Sequence, residues 1–204
     1  MGERVQPERD RMEVLKAIAQ EGIQNAAKGF SSMVGRTIAV SDPVAHLVPL
    51  LSIPKYVSGP EDDTVGIYLR FDGDLLGQII MIVPLQNALE LVDLMMDVPA
   101  GTTQVLGSLE KSALGELGNM CGSFFLNAMA KIVKASFRPS PPAIMVDMVG
   151  AILDIVVATS LDAGEDVLLM KAKFADGPRS VEADFWVIPD IHALQALMQK
   201  SSES

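Results

Sequence analysis

Glu116 and Asn119 stand three residues apart in the stretch KSALGELGNMCGSFFLNAMAKIV, residues 111–133, which holds no histidine, no cysteine pair and no second acid. Such a pair lacks the parts of a nucleophile–base dyad or a metal site. What it offers is one negative charge beside one amide that both donates and accepts hydrogen bonds.

At 100° per residue the stretch sorts into three stripes if it is helical. Ser112, Glu116, Asn119, Ser123 and Asn127 form a polar stripe. Leu114, Leu117, Cys121, Phe124, Phe125, Ala128 and Ile132 form an apolar one, expected in the core. Gly115, Gly118 and Gly122 lie along a flank. Each glycine costs a helix roughly 1 kcal/mol relative to alanine, so close approach by another element, or room for a partner, is the expected reason for three of them. On spacing alone the polar stripe is a solvated helix face. A face chosen for helix stability favours Lys, Arg and Glu, however, and this one uses Ser and Asn, which are poor interior helix formers.

The elements that position this helix occur twice. Residues 14–43 align with 113–142 at a shift of 99, placing Leu15 on Leu114, Ile18 on Leu117, Ala19 on Gly118 and Pro43 on Pro142. Later the shift grows to 105, where Pro84 meets Pro189 and Ala88-Leu89 meets Ala193-Leu194. Each half predicts a long helix, at about 12–34 and about 111–134, and then a short extended segment near Thr37–Val40 or Ser136–Arg138. A hairpin follows, turning at FDGD (71–74), where Asp72-Gly73 suits a type I′ turn, or at ADGPRS (175–180). A helix opening after Pro84 or Pro189 closes each half. The expected fold is α+β: a pseudo-two-fold duplicated unit with a six-stranded, mainly antiparallel sheet and two long helices packed on it. We expect one domain, residues 1–204, made of halves at about 12–97 and 111–198, with flexible polar termini (GERVQPERD and QKSSES).

The pattern Ser112-x3-Glu116-x2-Asn119-x22-Pro142 resembles the signature of the CheC, CheX and FliY chemotaxis phosphatases. SALGELGNMCGSFFLNAMA is similar to a CheC second active-site helix, and FDGDLLG, PPAIMVDMVGAIL and the repeat itself fit CheC as well. The resemblance implies a phosphatase of CheY-P, a response regulator phosphorylated on aspartate. An acyl phosphate is already activated and the regulator brings its own Mg²⁺, so the enzyme needs no cofactor of its own. Asn119 would orient the attacking water, as a glutamine does in GTPases. Glu116 would pair with a lysine beside the regulator's phosphoryl group. Ser112 matches the first position of the pattern, and Pro142 would fix the chain beside the site through its locked φ. Asp147 matches a CheC segment associated with binding CheD, the receptor deamidase, which makes CheD a second expected partner.

The first helix departs from the pattern. Ala17 replaces the acid, Gln20 the asparagine and Glu13 the serine, while Pro43 is retained. Alanine makes no salt bridge and glutamine overshoots, so one competent site and one degenerate surface are expected. Gln20 and Gln24 read as solvent-facing polar residues. The alternative function is a non-catalytic module that docks CheY-P or CheD, or serves in a flagellar switch. FliM-like domains of such switches share the frame; those that only bind lack the acid–amide pair.

The rest of the chain is consistent with a soluble signalling protein. A net charge of −10 argues against nucleic-acid or anionic-membrane surfaces, which require clustered cations. The most apolar run, LLGQIIMIVPL (75–85), is too short to span a bilayer, and the N-terminal residues lack a signal-peptide apolar region. One cysteine forms no internal disulfide, and a reducing, cytoplasmic location is expected. His46 and His192 have no metal-ligating neighbours at zinc spacing. Cys121 reads as packed rather than reactive, and the methionines as core filling.

Overall fold

The computed structural model describes residues 5–41, 44–49, 52–53, 59, 61–159, 166–177 and 179–189. Helix α1 (Val5–Val34) is longer than expected, since the backbone of residues 5–10 continues the helix rather than fraying. Its buried Leu15, Ile18, Ala19, Ile23, Ala26 and Phe30 recur at three- and four-residue steps, giving one apolar stripe. Helix α3 (Ser108–Val133) ends in a left-handed Lys134. Between them, α2 (Leu85–Met95) starts directly after Pro84, which stands at the N-cap and needs no N–H there.

α1 and α3 pack antiparallel on one face of the sheet, joined by an ion pair between Glu21 and Lys131 (3.3 Å). Two contacts show the pseudo-two-fold directly. A Cβ on Gly22 would collide with the Phe125 ring. The equivalent pair, Cys121 and Ala26, meets through the Cys121 thiol and the Ala26 carbonyl at 3.8 Å. The two pairs are exchanged by the shift of 99 found in the sequence.

The sheet has eight strands rather than six: β1 (Ala39–Val40), β2 (Val44–Pro49), β3 (Asp63–Gly73), β4 (Gly77–Pro84), β5 (Phe137–Pro139), β6 (Ala143–Met148), β7 (Asp166–Asp176) and β8 (Arg179–Pro189). The extra strands arise because each short extended segment is followed by a second one. β5 and β6 both pair with β3, while β1 and β2 both pair with β7, all antiparallel. Each half thus lends its short strands to the other half's hairpin, and β4 pairs with β8 at the centre. Fold class and duplication are as expected; the strand count is corrected.

Two further features differ from the expectation. Asp72 and Gly73 belong to β3, and the turn to β4 is formed by Asp74–Leu76. Asp72 lacks the positive φ that a type I′ turn needs; only Gly73 has it, at 129°. Gly73 is required there because a side chain would strike the Ser136 carbonyl. The helix α4 (Val149–Thr159) was also not foreseen; it buries Val149, Ile152, Leu153 and Val156 on the opposite sheet face. The helix expected after Pro189, Pro43, His192 and the C-terminal QKSSES lie outside the described residues. Among the described residues no helix is long and apolar enough to cross a membrane.

Candidate functional site

The site stripe is set by how α3 sits on the sheet. A Cβ on Gly118 would collide with Ile67 of β3, and one on Gly122 would press Leu69 at 3.2 Å. Both glycines are buried against β3, so they serve close packing within the molecule and leave no room for a partner. With this flank facing down, the polar stripe faces outward.

Ser112, Glu116 and Asn119 are all exposed. At 100° per residue they fall within an arc of about 60°, and Glu116 and Asn119, at an i,i+3 spacing, have Cβ atoms about 5–6 Å apart. Among the described residues no hydrogen bond or ion pair engages their side chains, leaving carboxylate and amide available to another molecule. Pro142 is half-buried and packs beside the same turn, 3.8 Å from where a Gly115 Cβ would stand. The four residues are therefore brought together. Helix formation assembles three of them, and the return of the chain through β5 brings the fourth.

The return segment is held by bonds that sequence reasoning missed. The Ser136 N–H donates to the Asp74 carboxylate (2.9 Å), Arg138 pairs with Asp72 (3.0 Å), and the Arg70 N–H donates to the Ser140 hydroxyl (3.0 Å). The approach to α3 is fixed by Asp93, a fully buried carboxylate on α2. It accepts the N–H groups of Gly101 (2.7 Å), Thr102 (3.1 Å) and Thr103 (2.8 Å). Burial alone pushes this carboxyl's pKa up, but the Thr103 side chain and the three backbone donors outweigh it and hold the pKa below its ordinary value. The signal was an acid set within the apolar run LVDLMM, residues 91–96.

On α1, Glu13, Ala17 and Gln20 are exposed at the positions equivalent to Ser112, Glu116 and Asn119. Asp147 lies apart from the stripe, on β6 opposite Thr64, where its carboxylate accepts the Met148 N–H at 2.8 Å. Two members of the expected core stripe are corrected. Phe124 is 37% exposed, its ring lying over Gly29 of α1, and Ile132 is only partly buried. Cys121 is buried, which pushes its thiol pKa up to about 12. His46 is exposed on β2, and among the described residues no group of acids, histidines and cysteine could hold a metal ion.

The sequence profile of the CheC-like family matches residues 109–146, the segment that carries the stripe, β5 and Pro142. CheY-P phosphatase CheC of Bacillus subtilis (strain 168) is 26% identical over 192 residues, covering 92% of both chains. Thermotoga maritima FliY superposes with a TM-score of 0.74 at 18% identity, covering 92% of this chain and 95% of that one. CheX in the CheX–CheY–BeF3–Mg²⁺ crystal from Borrelia burgdorferi superposes with a TM-score of 0.52 at 14% identity, covering 83% and 95%. The resemblance to CheC, carried in the sequence by the α3 helix, FDGDLLG, PPAIMVDMVGAIL and the repeat, extends along nearly the whole chain, and the α+β frame is that of FliY.

Proposed function

We propose that this protein is a phosphatase of a phosphorylated response regulator, with one competent site formed by Glu116 and Asn119. The observation that carries the reading is the outward-facing, uncommitted acid–amide pair on a tightly seated helix, in a chain similar to a CheY-P phosphatase. The water oxygen attacks phosphorus, the acyl P–O bond breaks, and inorganic phosphate leaves a free aspartate carboxylate on the regulator. Asn119 holds the water in line, so its contribution is positional. Glu116 anchors the regulator through a charge-assisted hydrogen bond. Mg²⁺ arrives with the substrate, and that CheX was crystallised with CheY, BeF3 and Mg²⁺ supports such a partner. Ala17 and Gln20 mark the equivalent surface of α1 as silent. We place the protein in the cytoplasm, where response regulators act, with CheD as a second partner at Asp147.

The test is the decay of a phosphorylated CheY-like regulator with wild type, Asn119→Ala and Glu116→Ala. Loss of one positioned group lowers the rate on the order of 10²-fold, and equal decay in all three would sink the catalytic reading. The fold also matches a FliM middle domain (TM-score 0.64, 12% identity), which supports a second reading, a regulator-docking module without turnover. Under that reading Glu116→Ala weakens binding while no variant changes the decay.

A further inference from the structure

On the face of the sheet turned away from α1 and α3 lies a cleft of about 520 Å³, lined by Arg70, Asp72, Leu76, Gln78, Arg138 and Thr159 among others. Leu69 and Phe71 point into the core under the long helices, and strand alternation turns Arg70 and Asp72 to the opposite side. The volume falls in the range of small-ligand pockets, roughly 300–1,000 Å³.

Its polar wall is already committed. The Gln78 side-chain nitrogen donates to the Thr159 carbonyl (2.9 Å), and its oxygen accepts the Thr159 hydroxyl (3.3 Å). What remains open is cationic. Arg138 gives its Nε–H to Asp72 at 3.0 Å, and no other bond engages its guanidinium among the described residues. Arg70 has no ion pair among them at all. In a chain of net charge −10, two guanidinium groups facing one cleft with a single carboxylate between them form a local cationic site. Beside them Leu76 is 64% exposed at the lip, an apolar side chain open to solvent.

We propose that this cleft binds a small organic anion, a phosphate or carboxylate attached to an apolar group. Arg70 and Arg138 hold the anion by forked hydrogen bonds, and Leu76 covers the apolar part. The assignment does not depend on the phosphatase reading, since none of these residues belongs to the stripe on α3.

Amide NMR of the full chain, titrated with phenyl phosphate and with benzoate, tests it. Saturable shifts are expected at Arg70 and Ser140, whose backbone N–H and hydroxyl are bonded to each other. Tighter binding of phenyl phosphate assigns the phosphate class, and tighter binding of benzoate the carboxylate class. Arg70→Ala weakens binding about tenfold or more, the loss expected for one charge-assisted bond. Arg70→Lys retains part of it. Because Arg70 is exposed and its side chain unpaired among the described residues, the remaining resonances of Arg70→Ala stay in place and report an intact fold. Absence of saturation with both probes, or unchanged affinity in Arg70→Ala, would overturn the proposal.

Discussion

Gly118 of α3 rests directly on Ile67 of β3, close enough that no side chain fits between helix and strand. This contact sets the height of the site helix above the sheet, and with it where Glu116 and Asn119 are presented. A Gly118→Val change is expected to destabilise the fold by about 1–3 kcal/mol through overpacking. It should also slow dephosphorylation, because the helix must lift or slide. Gly115→Ala is the control: its Cβ meets Pro142 at an ordinary 3.8 Å. That variant should gain up to about 1 kcal/mol from helix propensity. Urea midpoints of the two variants, moving in opposite directions, check the pair.

The two long helices should not contribute equally to turnover. Gln20→Ala on α1 is expected to leave the decay of the phosphorylated regulator within about twofold of wild type, since no acid accompanies it at Ala17. Asn119→Ala, at the equivalent position, removes on the order of 10²-fold. A large loss at Gln20 would mean that both helices work.

Asp93 links stability to pH. Its folded pKa lies below the ordinary value, so its contribution is present above the unfolded pKa of about 3.9. That contribution is lost as pH falls through the folded pKa. Asp93→Ala removes the carboxylate that the N–H groups of residues 101–103 bond and should cost about 1–3 kcal/mol at pH 7. The gap between wild type and variant in a denaturant titration should narrow below about pH 4. A gap that widens on acidification would contradict the assignment.

Cys121 should be inert in the native protein. Burial raises its thiol pKa to about 12, so thiolate is scarce at pH 8, and the sulfur itself is buried. Labelling by a thiol reagent is expected to follow global unfolding and to accelerate with denaturant in step with loss of helix signal. Rapid labelling without denaturant would show that the α1–α3 interface opens locally.

For the two long helices and α2, which neighbours along the chain decide, the sequence was sufficient. The three- and four-residue rhythm of Leu15, Ile18, Leu114 and Leu117 gave two helices, and all four side chains are buried. Pro84 marked the start of α2, and the repeat at a shift of 99 implied the pseudo-two-fold that exchanges the Gly22–Phe125 and Ala26–Cys121 contacts. An i,i+3 spacing put Glu116 and Asn119 on one face, because helix geometry alone decides that. Tertiary structure decided what depends on partners distant in sequence. β2 and β6 were missed as strands because their ladders are with β7 and β3 of the opposite half. Phe124, apolar by type, stays 37% exposed, with its ring over Gly29 of α1, which has no side chain to cover it. The glycine stripe could have faced a partner or the sheet, and Ile67 settled which. Periodicity fixes the face a residue shares, whereas only long-range packing fixes what that face meets.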